Sequence, residues 1–181
     1  MEISGNLDVT GEFLKNGASF YTVDERGTVL GEHTTGFKLT SGSQNTLIGY
    51  QAGDDLVDAL GLSNVMVGDL AGAGASNASD NIIVGKSAAY NLGNGDKNVI
   101  LGAHAAGWTG SYADGSSRPD ITGSIFIGYK AGFKSQEDNT LIINNADEKE
   151  LQPLIYGHFR NRVGGSWELP RVGINVPSGS L

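Results

Sequence analysis

Six copies of one short pattern constrain this chain more than anything else in it. N-T-L-I-G-Y-Q-A begins at Asn45, N-V-M-V-G-D-L-A at Asn64, N-I-I-V-G-K-S-A at Asn81 and N-V-I-L-G-A-H-A at Asn98. S-I-F-I-G-Y-K-A follows from Ser124 and N-T-L-I-I-N-N-A from Asn139. The first place is thus Asn45, Asn64, Asn81, Asn98 and Asn139, with serine in one copy. Gly49, Gly68, Gly85, Gly102 and Gly128 hold the fifth place, and Ala52, Ala71, Ala88, Ala105, Ala131 and Ala146 the eighth. The starts are 19, 17, 17, 26 and 15 residues apart. A fixed rung with loops of variable length accounts for both the constancy and the spacing.

The second place is Thr46, Val65, Ile82, Val99, Ile125 and Thr140, β-branched throughout. Such side chains are stiff at χ1 and favour extended backbone. The third and fourth places are apolar, and glycine then follows too soon for a helix. Each copy reads as one coil of a β-solenoid: a strand, a glycine corner, a second extended piece and a return loop. Stacking buries the apolar face that one coil cannot bury alone. The asparagines then fall into register and form an amide ladder along a corner.

Composition agrees with an all-β protein and removes several alternatives. Glycine fills 28 of 181 positions without a period of three, and only four prolines occur, which excludes a collagen helix. There is no cysteine, hence no disulfide, no cysteine-ligated zinc and no thiol nucleophile. The net charge of −8 gives no electrostatic reason to expect nucleic acid or anionic lipid as a partner. No apolar run approaches the ~20 residues that span a bilayer.

Side chains alternate along a strand, so the second and fourth places share one face and the third place takes the other. In the central copies both faces are apolar, as with Val65 and Val67 against Met66. An isolated solenoid has one dry face, its inside. The sequence therefore predicts self-association, with Thr46 and Thr140 marking capping rungs.

The copies N-T-L-I-G-Y-Q-A-G and S-I-F-I-G-Y-K-A-G resemble the repeats of trimeric β-roll heads found in trimeric autotransporter adhesins and phage tail fibres. The likeness covers residues 40–146. It implies a left-handed parallel β-roll forming an intertwined or side-by-side homotrimer, with Met66, Ile83, Ile100 and Phe126 at the interface between chains. Ser124 for asparagine, Ile143 for glycine and the longer loops depart from the family pattern. Residues 3–17 resemble the lead-in of phage fibre proteins, and 153–159 with 171–177 resemble the segment before an endosialidase-type intramolecular chaperone. These matches divide the chain into a strand and hairpin lead-in (1–40), a six-rung roll (41–147) and a C-terminal hairpin segment (148–181).

The resemblance implies a non-enzymatic structural protein of a virion tail fibre or another extracellular surface. Its partners would be two further copies, other fibre or baseplate proteins, and a host glycan or protein receptor. A fragment of a cellular adhesin, a plain shaft or connector and a polysaccharide depolymerase are the alternatives. An adhesin needs a leader and a membrane anchor, and neither is in these residues, which favours the fibre.

Few residues invite chemistry. The carboxylates Asp54, Asp55 and Asp58, and Glu137 with Asp138, lie in loops of different coils, so no catalytic residue is assigned. Gly72-Ala73-Gly74 and Gly93-Asn94-Gly95 open no βαβ helix and offer no phosphate cradle. Asn91–Asp96 lacks the spaced acids of a calcium loop. His33, His104 and His158 read as ordinary histidines, and no metal or cofactor is expected. The large insertion after Gly107 carries Trp108, Tyr112, Asp114, Arg118 and Asp120. These residue types suit contact with sugar or protein. The plainer reading of Trp108 is a side chain folded back over the exposed edge of the roll, and Trp167 has the same two readings with less support for contact.

Overall fold

The computed structural model describes residues 13–15, 18–24, 27–30, 44–54, 62–107, 120–133, 135, 137–145, 153–159, 162–163, 166–167 and 170–174. For 13–30, 162–163 and 166–167 it describes the backbone alone. All regular elements among them are strands. They are β1 (Phe13–Lys15), β2 (Ala18–Asp24), β3 (Gly27–Leu30), β4 (Asn45–Ile48), β5 (Val65–Val67), β6 (Ile82–Val84) and β7 (Val99–Leu101). Then come β8 (Ile125–Ile127), β9 (Thr140–Ile143), β10 (Ile155–His158), β11 (Arg162–Val163), β12 (Ser166–Trp167) and β13 (Arg171–Ile174).

One sheet runs β1-β2-β3-β4-β5-β6-β7-β8-β9-β10-β13, and β11 with β12 forms a separate hairpin. Pairing is parallel from β3 to β9 and antiparallel at both ends. This is the expected β-solenoid, closed off at each end by antiparallel strands. The first parallel strand, β3, lies within the lead-in and pairs Thr28 with Thr46.

Each coil is fastened to the next at several fixed places. The second-place N–H donates to the first-place carbonyl of the next coil, as in Val65 to Asn81 (2.8 Å). The fifth-place N–H donates back to the fourth-place carbonyl of the previous coil, as in Gly85 to Val67 (2.8 Å). The ninth-place N–H donates forward to an eighth-place carbonyl, as in Gly72 to Ala88 (2.8 Å). The small eighth-place alanines 52, 71, 88, 105 and 131 are buried at this second line of contact.

The interior is one column. Leu47, Met66, Ile83, Ile100 and Phe126 stack in register at 0% exposure, and Ile142 packs against them. This corrects the sequence expectation for Met66, Ile83, Ile100 and Phe126. They fill the inside of their own coil and are not available to another chain. The opposite face of the strands carries the second and fourth places.

Within a coil, the third and ninth places share one volume. Where Met66 or Phe126 points inward, the ninth place is Gly72 or Gly132, and a Cβ there would run into the Met66 thioether or the Phe126 ring. Where the inward residue is Ile83 or Ile100, the ninth place is Ala89 or Ala106, both buried. Ile83→Phe alone is therefore expected to overpack its coil and cost about 2–3 kcal/mol. Adding Ala89→Gly should recover more than half of that. Urea unfolding of both single variants and the double variant measures the coupling.

The last coil corrects a second expectation. The identical letters N-T-L-I at Asn45 and Asn139 suggested Asn139 as a ladder residue. In the structure Ile125 pairs with Leu141 and Phe126 with Ile142, so Thr140 stands at the first place. Asn139 instead takes the left-handed turn before it, φ +54, as Ser63, Asp80 and Lys97 do in their coils. A slip of one residue exchanges the two faces of a strand. Leu141 and Ile143 thus belong to the outer columns, Ile142 to the inner one, and Asn144 rather than Ile143 to the fifth place. Ala146, assigned to the eighth place, lies outside the described residues.

Candidate functional site

Three features on this frame bear on function: two polar ladders, one apolar face and one cluster at the C-terminal end. The first ladder is made by the first-place asparagines, all buried. Asn81 Oδ1 accepts both the Asn98 backbone N–H (2.9 Å) and its side-chain amide (3.0 Å). Asn81 Nδ2 donates to Asn64 Oδ1 (3.0 Å) and to the Gly95 carbonyl of its own return loop (2.9 Å). Asn64 and Asn98 repeat the scheme, with Ala78 and Ile121 supplying the loop carbonyls. Only an amide offers an acceptor for the coil ahead and two donors at this reach. Ser124 keeps a reduced version: its N–H donates to Asn98 Oδ1 (2.9 Å), and its Oγ donates to the Glu137 carbonyl (3.3 Å) and accepts the Thr140 N–H (3.0 Å). The ladder expected from the sequence is present, with structural bonds along its length.

A second ladder, missed in the sequence, runs two residues before each first place. Leu62 N–H donates to Ser79 Oγ (3.2 Å), Ser79 N–H to Asp96 Oδ1 (2.8 Å), Asp96 N–H to Thr122 Oγ1 (3.2 Å) and Thr122 N–H to Asp138 Oδ1 (2.8 Å). Its sense is opposite to that of the asparagines, since each backbone now donates to the coil ahead. The signal was a small polar residue recurring at this position, hidden because its identity changes from coil to coil. Asp96 and Asp138 are thereby accounted for as acceptors of backbone N–H groups.

The outer face consists of two uncharged columns. The second-place column runs Thr46, Val65, Ile82, Val99, Ile125 and Leu141, and the fourth-place column Ile48, Val67, Val84, Leu101, Ile127 and Ile143. Both continue across the antiparallel strands, through Gly157 to Val172 and through Ile155 to Ile174. Ile82 is 46% exposed, Val172 62% and Ile174 68%. Gly157 keeps the face shallow there, because a Cβ would stand 2.5 Å from the Arg171 carbonyl oxygen.

At the C-terminal end, Tyr156 Oη donates to Glu137 Oε2 (2.9 Å) and lies 2.8 Å from His158 Nε2. Glu137 Oε2 is 3.8 Å from the same imidazole nitrogen. The Tyr156 phenol is pushed up to about 12, by burial first and then by the hydrogen bond to Glu137 and its negative charge. Beside it opens a cavity of about 790 Å³, with Pro153, Tyr156, His158 and Arg171 among its lining residues.

The remaining sequence candidates separate. Trp108, Tyr112, Asp114 and Arg118, like His33, Asp55 and Asp58, lie outside the described residues. Asp120 is described and exposed, and its Oδ1 accepts the Asn94 N–H (2.8 Å), which ties the insertion's end to the preceding coil. His104 stands edge-on to Tyr129 with ring centres 6.2 Å apart, at a corner where φ is +58. Trp167 lies on β12. Among the described residues no group of three or more His, Cys, Asp or Glu side chains is placed to hold a metal ion, and no helix is long and apolar enough to cross a membrane.

Comparison with protein-family models, with curated proteins and with solved structures gives no match.

Proposed function

We propose that this chain is a segment of a homotrimeric, non-enzymatic fibre of the tail-fibre type, serving as a stiff spacer or head that presents loops for attachment to a host surface. The observation that carries the self-association is the outer face, in which eleven of the twelve residues from Thr46 to Ile143 are apolar and none is charged. Soluble chains rarely leave a continuous apolar stripe of that length facing water. Further copies of the same chain supply a surface of matching pitch, because the strand spacing of about 4.8 Å is common to all. Trimer and left-handed roll come from the resemblance of the repeats, as does placement on a virion or another extracellular surface.

Loop presentation has its own support. The insertions 55–61 and 108–119 both leave after the tenth place, at Asp54 and Gly107, where the chain has completed its second line of contact. Both therefore issue from one flank of the stack. A trimer would repeat that flank three times and raise weak contacts to useful avidity.

Light scattering is expected to give a particle near three times 18.8 kDa at micromolar concentration. Ile82→Glu, which sets charge in the middle of the stripe, is expected to yield single chains. A well-folded, non-aggregating wild-type monomer would remove the basis of the fibre reading.

A further inference from the structure

The cavity at the C-terminal end is built from groups that the fibre reading leaves unused. Cross-strand pairing sets Tyr156 opposite Gly173 and His158 opposite Arg171, so these four share one face of β10 and β13. All four line the cavity, whose volume of about 790 Å³ admits a small organic ligand.

Gly173 keeps this space open. A tyrosine opposite a strand glycine can lay its ring over the bare backbone. Tyr156 does not, because its Oη is tied to Glu137 Oε2 (2.9 Å) and its ring stands edge-on to His158, with centres 5.1 Å apart. Among the described residues a Cβ at Gly173 would meet only the Tyr156 carbonyl oxygen, at 3.7 Å, which is ordinary contact. Neither crowding nor a left-handed φ requires glycine there, whereas a Cβ at neighbouring Gly157 would stand 2.5 Å from the Arg171 carbonyl oxygen.

Three kinds of group face the opening. Arg171 is exposed and has no hydrogen bond or ion pair among the described residues, so its guanidinium is free to take an anion. The cavity touches every residue of β13, the last strand of its sheet. Alternate N–H and C=O groups of such a strand turn outward with no described strand to meet them, and they suit hydroxyls. Tyr156 and Pro153 supply an apolar wall.

The geometry points to a binding site for an acidic sugar of the uronic-acid type. Its carboxylate pairs with Arg171 in the two-bonded manner of a guanidinium, its ring packs on Tyr156, and its hydroxyls meet the free edge of β13. One guanidinium near the Glu137 carboxylate matches a single negative charge and disfavours a dianion, which sets carboxylate above phosphate. A free inorganic ion would also leave most of the space empty. The site names a ligand for the attachment reading and rests on that reading for its use, while binding itself needs no trimer.

Titration of the full chain with glucuronate at constant ionic strength, followed by the amide NMR signals of 153–159 and 171–174, tests this. A saturable shift is expected with a dissociation constant of about 1–10 mM. Glucose and acetate, used as separate probes, should each bind at least about tenfold more weakly, since each lacks one half of the recognition. Arg171→Gln should lower glucuronate to the level of glucose. Gly173→Val separates a ligand site from a merely structural gap: valine favours a strand, so the melting temperature should hold or rise while glucuronate binding falls at least about tenfold. No saturable shift, equal binding of acetate or glucose, or full binding by Gly173→Val would each overturn the proposal. Light scattering on the same samples keeps the two readings apart. A single chain that binds glucuronate would retain this site and lose the fibre, and a trimer that binds none would do the reverse.

Discussion

Asn81→Ala is expected to remove a large share of the stability of this chain. Alanine takes away the one oxygen that accepts both the Asn98 backbone N–H and an Asn98 side-chain N–H, at a place buried from bulk solvent. It also removes the donors used by Asn64 Oδ1 and the Gly95 carbonyl. An unmet buried polar group costs about 1–3 kcal/mol. Two orphaned donors and a weakened carbonyl therefore sum to roughly 3–6 kcal/mol, against a usual total of about 5–15 kcal/mol for a domain. Urea unfolding monitored by circular dichroism, at one protein concentration for all variants, measures the loss. Asn139→Gly is the matched control. Asn139 sits at φ +54 beside the ladder and not in it, so glycine there should change stability by less than about 1 kcal/mol. Equal losses at Asn81 and Asn139 would refute the one-residue shift of the last coil.

The second large effect is expected at Gly85. Its φ of +137 lies in a region that L side chains rarely adopt, and a Cβ would stand 2.6 Å from the Gly102 carbonyl carbon and oxygen of the next coil. Gly102 cannot step aside, because its N–H donates to the Val84 carbonyl (2.8 Å). Gly85→Ala thus combines backbone strain with a clash against backbone, and a loss above about 4 kcal/mol follows. For a chain of this length that lowers the melting temperature by roughly 8–16 °C, or leaves the variant insoluble. The same argument explains why Asn144 is tolerated at the fifth place of the last coil. Among the described residues no further parallel strand follows β9 for a side chain there to strike. A shift of less than about 1 kcal/mol at Gly85 would mean that the coils are looser than their spacing implies.

How much of this was legible in the letters depends on which contacts fix each element. The rung was readable because β-branched residues, glycine and alanine each answer a local demand that recurs. The two faces were readable as a pair, but alternation does not say which one turns inward when both are apolar. A decisive signal was present six residues away: Met66 and Phe126 go with Gly72 and Gly132, while Ile83 and Ile100 go with Ala89 and Ala106. That exchange of volume marks the third place as the inside. The slip at Asn139 was not readable, since its four letters repeat those at Asn45 and only pairing with β8 separates them. The second ladder escaped because serine, threonine and aspartate serve the same bond. The cluster of Glu137, Tyr156 and His158 joins two segments whose meeting depends on β10 turning antiparallel, which no local pattern announces.

The order of strands in the sheet has a mechanical consequence. Because β1 and β13 stand at opposite ends, a pull applied between those ends acts along the hydrogen bonds and across the strands. The coil-to-coil seams then bear the load in series, and the weakest yields first, as stitches part in a pulled thread. A lone stack is stiff against bending but easily unravelled lengthwise. Neighbouring stacks gripping its outer columns would share that tension across every coil at once.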